Sequence, residues 1–87
     1  MKIKENFMLR KVADTFVVVP VGDAVANFNG MINLNEAGAF LWQQLEKETT
    51  PEDVVSAMLE QYDVDEAVAK ADVDKFIAEL KSADLLD

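Results

Sequence analysis

The spacing of hydrophobic residues changes once along the chain, at Asn35. Before Asn35 the apolar residues form a β-branched and aromatic run or alternate with polar residues, as in Phe28–Leu34, which is typical of β-strands. After Asn35 they recur three and four residues apart, as in amphipathic helices. Asparagine is a favoured N-cap residue, so Asn35 itself predicts the start of a helix. A run of strands followed by a run of helices predicts an α+β domain.

Three strands are expected in the first part of the chain. Phe7–Ala13 alternates imperfectly, Thr15–Val19 is β-branched and aromatic, and Asn27–Leu34 is the third strand. Pro20 cannot donate a backbone hydrogen bond, so it marks a strand end or an edge. Asp14 and the pair Gly22–Asp23 supply turn residues between the strands. We expect a three-stranded antiparallel sheet.

The third strand has one apolar face, apart from a glycine, and one mostly polar face, a pattern expected when helices cover one side of a sheet. Phe28, Gly30, Ile32 and Leu34 fall on the first face, and Asn29, Met31 and Asn33 on the second. Gly30 indicates either a bulge or tight helix contact, or the close approach of another backbone. Met31 is either a stray exposed apolar residue or part of an adaptable peptide-binding surface.

Three helices follow. The first begins after Asn35, and Trp42 in its apolar stripe is expected in the core rather than at a ligand site. The second begins at Thr50–Pro51, a cap followed by proline at the first helical position. The third runs from Glu66 to about Ala83, and the apolar pair Leu85–Leu86 is expected to dock on the core. The predicted buried stripes are Gly38, Leu41, Trp42 and Leu45; Val54, Val55, Met58, Leu59 and Tyr62; and Val73, Phe76, Ile77 and Leu80.

Composition narrows the function classes. The 87 residues make one domain, of which residues 1–6 are polar and expected to fray. The absence of cysteine removes disulfides, thiolate metal sites and a cysteine nucleophile, and the absence of histidine removes the commonest general base and transition-metal ligand, which argues against an enzyme. The net charge of −9 argues against a nucleic-acid partner. No signal peptide or membrane span is evident, so we expect a cytoplasmic protein.

The carboxylates do not form a recognisable metal or catalytic motif. Asp63 and Asp65 supply only the first two acids of a calcium loop, and no glycine follows. Asp72 and Asp74 point in different directions on a helix. Ser56 and Ser82, the only serines, have no identifiable base. We therefore expect no catalytic residue, no metal site and no cofactor.

The stretch from Ile32 to Trp42 resembles the PqqD family, the small proteins named for coenzyme PQQ synthesis protein D. The resemblance lies in a strand that ends in Leu34–Asn35, then small residues, then the pair Leu41–Trp42. Two later stretches resemble the family in residue pattern and in order along the chain: Thr50–Val55 and Asp72–Leu80. The resemblance to the family extends from about Phe7 to Leu86, nearly the whole chain.

This resemblance implies a winged-helix-like domain that binds the leader segment of a ribosomally made precursor peptide. The leader adds as a strand to the free edge of the third strand, beside the third helix, and the domain presents it to a modifying enzyme, often a radical-SAM protein. The implied peptide-binding residues are Phe28, Asn29, Gly30, Met31, Ile32, Asn33, Leu34, Val73, Phe76, Ile77 and Leu80.

Two alternatives stay open: a structural or oligomerising module that forms a homodimer through the same edge, and, less favoured, a winged-helix nucleic-acid binder. The charge raises a further question, because such leaders are often acidic. Either Arg10, Lys75 and Lys81 form a basic rim around the site, or the leader of this protein is less acidic.

Overall fold

The computed structural model describes residues 1–22 and 32–86. In these residues a three-stranded antiparallel sheet is followed by three helices, which confirms the predicted α+β class. The strands are β1 (Phe7–Val12), β2 (Thr15–Pro20) and β3 (Ile32–Leu34), and the helices are α1 (Glu36–Leu45), α2 (Pro51–Gln61) and α3 (Glu66–Ser82).

The sheet has the order β1-β2-β3, so β2 is central and β3 lies at an edge. Val18 of β2 is fully buried and stands opposite Leu9 of β1 and Ile32 of β3. These three residues pack on the helices, whereas Asn33 is exposed on the other face, as the alternation predicts. The predicted beginning of the third strand, residues 27–31, lies outside the described residues.

The turn between β1 and β2 makes β1 one residue shorter than expected. Val12 pairs with Thr15, and Ala13 has a φ of 55° in the left-handed region. A residue with that φ cannot continue a strand. The predicted turn at Asp14 therefore begins at Ala13.

Asn35 joins β3 to α1 and is the predicted N-cap. Its backbone is still extended, with φ −79° and ψ 179°, and its side-chain Oδ1 accepts a hydrogen bond from the Gly38 N–H at 2.7 Å. The bond satisfies one of the amide groups that a helix start leaves unpaired. Thr50 caps α2 in the same way, accepting from the Asp53 N–H at 3.2 Å.

The core lies between the sheet and the three helices. Trp42 and Leu45 of α1 are fully buried, which confirms the assignment of Trp42 to the core. The predicted stripe of α3 is buried too, from Val73 at 1% exposure to Phe76 at 8%. The largest fully buried side chains are those of Trp42, Leu45, Leu85, Val18, Val54 and Val73.

The first residues are part of the fold, which corrects the expectation that residues 1–6 fray. Ile3 is 4% exposed and forms an antiparallel bridge with Leu86. The Ile3 N–H donates to the Leu45 carbonyl at 2.9 Å, and the Lys4 N–H to the Leu85 carbonyl at 2.9 Å. The segment is held because Ile3 gains a core position and satisfies a carbonyl that the end of α1 leaves unpaired.

A Schellman motif ends α3. The Leu85 N–H donates to the Leu80 carbonyl at 2.9 Å, and the Asp84 N–H donates to the Lys81 carbonyl at 3.1 Å. Asp84 has a φ of 59°, the left-handed conformation that this motif requires and that glycine adopts most easily. The turn directs Leu85 into the core, where it is fully buried beside α3.

Replacing the cap residue should destabilise the protein. In Asn35→Ala the Gly38 amide loses its acceptor, so we expect the free energy of unfolding to fall by about 1 kcal/mol. Urea denaturation measures the change. Asn33→Ala is the matched control, because the Asn33 side chain is exposed and no cap bond is lost. Equal losses in both variants would contradict a special role for the cap.

Asp84→Gly should stabilise the protein, because glycine adopts the left-handed conformation without the steric cost that Asp84 bears. We expect the free energy of unfolding to rise by about 1 kcal/mol. The lost ion pair with Lys4, at 3.0 Å, should matter little because the Asp84 side chain is 88% exposed. Asp84→Ala removes the same charge but keeps the unfavourable φ, so a similar gain in that variant would assign the effect to charge instead.

Candidate functional site

A groove of about 290 Å³ separates α3 from the junction of β3 and α1. Its floor is apolar and includes three buried side chains, those of Leu41, Met58 and Phe76. Its α3 wall consists of exposed charged side chains. The lining residues are Asn33, Leu34, Asn35, Ala37, Gly38, Leu41, Met58, Asp72, Lys75, Phe76 and Glu79.

The β3 side of the groove is fixed by the fold. Leu34 packs against the core, and Asn35 holds the start of α1. Gly38 lies so close to both that a Cβ atom there would be 3.2 Å from Asn35 Oδ1 and 3.4 Å from Leu34 Cβ. The glycine thus lets the first turn of α1 lie against the end of β3.

The register of the sheet determines which backbone groups of β3 face the groove. Opposed residues in an antiparallel pair alternately exchange two hydrogen bonds and none. The Val21 N–H donates to the Asn6 carbonyl at 2.8 Å, one pair beyond the end of β1 and β2. Counting along the strands from that bonded pair, the backbone groups of Val17 face β1. Val17 therefore does not bond its other neighbour, Asn33, across the β2–β3 ladder.

The N–H and C=O of Asn33 consequently point away from β2, toward the open side of the sheet. Ile32 and Leu34, by the same alternation, bond β2. Within residues 1–22 and 32–86, no strand lies beyond β3 and no backbone hydrogen bond engages Asn33 from that side. Since Asn33 also lines the groove, an unpaired amide and carbonyl face the same space as the α3 wall.

The structure brings only part of the predicted site together. Asn33, Leu34 and Phe76 line the groove. Ile32 packs on the core, as do three of the predicted wall residues, Val73, Ile77 and Leu80. Their contact with a peptide stays a prediction, as does that of Phe28, Asn29, Gly30 and Met31, which lie outside the described residues.

The α3 wall is formed by residues that the sequence prediction did not include: Asp72, Lys75 and Glu79. They lie three and four residues apart, so they share one face of the helix. Hydrophobic periodicity identified the face of α3 that is buried. Periodicity does not indicate which of the polar faces of α3 lies next to the edge of β3.

The described residues do not form a basic rim around the groove, which was one of the two alternatives that the sequence left open. Lys75 lines the groove, but Arg10 stands in register with Val17 and Asn33, on the sheet face that the helices do not cover. Lys81 lies six residues after Lys75, about 120° away around the helix axis. Lys75 is thus the one basic residue among the described lining residues.

A second cavity, of about 460 Å³, lies between α2 and α3. Val55 and Leu59 give it an apolar part, and Glu52, Glu66, Lys70 and Asp74 are among its charged lining residues. It is larger than the groove, but its described lining residues include none from a strand. It therefore offers a peptide no open backbone edge, and the groove beside β3 is the better candidate site.

The side chains of the described part do not assemble a metal centre, since no group of three or more acidic residues there is placed to hold an ion. In the same residues, no helix combines the length and the apolar character needed to cross a membrane. What the groove offers chemically is a backbone edge, an apolar floor and a charged wall.

The fold and this edge define a small α+β domain with an accessible edge strand. The model of the family described as coenzyme PQQ synthesis protein D (PqqD) matches residues 15–86. The chain therefore belongs to the PqqD family, which confirms the resemblance found in the sequence. Comparison with curated protein sequences finds no match.

Two solved structures are similar to the chain over almost its whole length. TbiB1, in complex with the TbiA(beta) leader peptide, superposes with a TM-score of 0.79 at 25% identity, covering 100% of this chain and 95% of that one. Lasso peptide synthetase B1, complexed with the leader peptide, gives a TM-score of 0.72 at 20% identity, covering 93% of this chain and 89% of that one. The second likeness is one of fold alone.

The open edge predicts an amide-exchange pattern. The Asn33 N–H should exchange with solvent much faster than those of Ile32 and Leu34, because only the latter two donate into the β2 ladder. Hydrogen–deuterium exchange followed by NMR measures the three rates. A protected Asn33 amide in dilute protein would show that the edge is covered. Protection that appears only at high concentration would indicate pairing between two copies.

Proposed function

We propose that this chain is a non-catalytic adaptor that binds the leader segment of a ribosomally made precursor peptide and presents it to a modifying enzyme. The observation that carries the proposal is the outward-facing N–H and C=O of Asn33, which open into the groove beside α3. Membership of the PqqD family supports it, as does the likeness to TbiB1, which was solved with a leader peptide.

Binding by strand addition begins with the backbone. A peptide lying beside β3 donates to the Asn33 carbonyl and accepts from its N–H, which satisfies groups that an edge strand leaves unpaired. Each such hydrogen bond contributes only about 0.5–1.5 kcal/mol net. The described edge is three residues long, so the backbone alone gives weak binding with little sequence preference.

Side chains supply the rest of the affinity. An apolar side chain of the peptide lies over Leu41, Met58 and Phe76, and its burial contributes at most about 3 kcal/mol, the value for complete burial. The charged residues of the α3 wall flank that position and discriminate between peptides. This division, in which the edge aligns the peptide and the groove selects it, is usual for strand addition.

The adaptor role leaves the chemistry to a partner. The chain contains no histidine or cysteine, and none of the described residues that line the groove carries a hydroxyl group. We therefore propose that an enzyme acts on the bound precursor, and we propose a radical-SAM enzyme because the family resemblance implies one. The peptide is held by its leader, so the segment to be modified stays free to reach that enzyme.

The open edge also favours one competing role, self-association, because unpaired strand edges pair with other copies. The net charge of −9 opposes it, since two copies repel each other. Nucleic-acid binding is disfavoured more strongly, because two of the three charged groove residues on α3 are acidic and repel phosphate.

Strand addition predicts that Asn33→Pro abolishes peptide binding while the protein stays folded. Proline removes the N–H that faces the peptide, yet leaves the β2 ladder intact because Asn33 does not bond β2. The probes are peptides selected on the wild-type protein from a phage-displayed random library, synthesised with a fluorophore. Fluorescence anisotropy should show Kd rising by about tenfold or more.

Asn33→Ala is the matched control for this experiment. It changes the same side chain but keeps the N–H, so its Kd should equal that of the wild type. Binding unaffected by Asn33→Pro, or lost equally in both variants, would contradict strand addition at β3. Light scattering without peptide tests self-association, which predicts a mass that rises with concentration in the wild type and not in Asn33→Pro.

A further inference from the structure

The charges that line the groove are of mixed sign and lie in a fixed order along α3: Asp72, Lys75, Glu79. All three side chains are exposed. In the described part of the chain the ion pairs are Met1–Glu48, Lys2–Glu5 and Lys4–Asp84, so neither acid is neutralised by Lys75 or by another described residue. An acid therefore stands at each end of the wall, and the wall has a net charge of −1.

From this arrangement, and resting on the proposed function, we infer that the groove selects a peptide with basic residues on either side of an apolar one. The apolar side chain occupies the floor. One lysine or arginine lies two residues before the apolar residue and another lies two residues after it. These two basic side chains pair with Asp72 and Glu79. Of the two alternatives that the sequence left open, a basic rim or a less acidic leader, the charges of the groove favour the second. The leader is then basic where it enters the groove.

The spacing of the two acids fits this pattern. Asp72 and Glu79 are seven residues apart, which is about 10 Å along the axis of an α-helix. In an extended peptide that runs alongside α3, alternate residues lie on the same side about 6.7 Å apart, so the first and fifth are separated by about 13 Å. Long, flexible lysine or arginine side chains at those two positions reach inward to acids about 10 Å apart. The third residue then lies between them, above the apolar floor.

Lys75 lies between the two acids along α3 and determines which residue is favoured at the middle of the peptide. It projects between the two acids and repels a basic residue at the middle of the peptide. Its aliphatic stem adds apolar surface beside the central side chain. The wall thus favours cationic side chains at its two ends and an uncharged, apolar one between them.

The charge of the whole protein acts in the same direction. A net charge of −9 attracts cationic peptides and repels anionic ones before contact, which raises or lowers the association rate. This long-range effect depends on total charge alone, whereas the groove effect depends on two particular carboxylates. The two contributions can therefore be separated by moving charges within and outside the groove.

The experiment uses a phage-displayed library of random peptides, selected in parallel on the wild type and on Asp72→Lys/Glu79→Lys. Both altered side chains are exposed, so the fold is retained. Peptides selected on the wild type should be enriched in lysine and arginine two residues before and after an apolar residue. Those selected on the double variant should carry aspartate and glutamate there instead.

Glu60→Lys/Asp63→Lys is the matched control, since it makes the same change in net charge at two exposed residues outside the groove. A wild-type peptide with lysine at both flanking positions should bind the control almost as well as the wild type. It should bind the groove variant about tenfold more weakly, and the difference should shrink between about 0.1 M and 1 M salt.

The outcomes separate this inference from the proposed function. If selected peptides lose binding in Asn33→Pro but show no basic preference, or if the preference fails to invert in the groove variant, the charge inference is wrong and leader binding stands. If the control changes Kd as much as the groove variant, total charge alone is responsible and the inference is again wrong. If no selected peptide depends on the Asn33 N–H, strand addition itself is wrong.

Discussion

The hydrogen bond between the Asn35 side chain and the Gly38 amide, 2.7 Å long, fixes the relation between sheet and helices. It ends β3 and starts α1 within one residue. The close approach of Gly38 to Leu34 then brings α1 against the strand, and Trp42 of α1 lies at the centre of the core. The groove is a result of this junction, because its β3 side is built from the residues that form it.

Most of the fold could be predicted because its elements are specified locally. Asn35 and Thr50 are caps whose residue types are recognisable in the sequence, and the stripe from Val73 to Leu80 has helical spacing. Two features could not be predicted in this way. Ile3 is held by contacts with Leu45 and Leu86, which are distant in sequence, and Asp84 takes a left-handed φ that is usually assigned to glycine.

The candidate site was predictable in part. The alternation of polar and apolar residues in the third strand indicated that helices cover one of its faces, and the family resemblance implied its free edge. Which backbone groups face outward depends on the register of all three strands. No local pattern in the sequence specifies that register. The family resemblance implied a helix wall of apolar α3 residues, and helical periodicity marks only the side of α3 that faces the core. The residues that line the groove, such as Lys75, lie on a polar face whose neighbour is set by tertiary packing.

The separation of the two sides of the groove has a consequence for how such a protein can diverge. Residues on the β3 side, among them Leu34 and Asn35, also hold the fold together, so changing them costs stability. The charged residues of α3 that line the groove are exposed and are not needed in the same way to hold the fold. Substitutions at such positions usually alter stability by less than about 0.5 kcal/mol. With the proposed function, peptide preference can drift quickly along one helix face while the edge of β3 is kept, so that copies of one gene can come to serve different precursors.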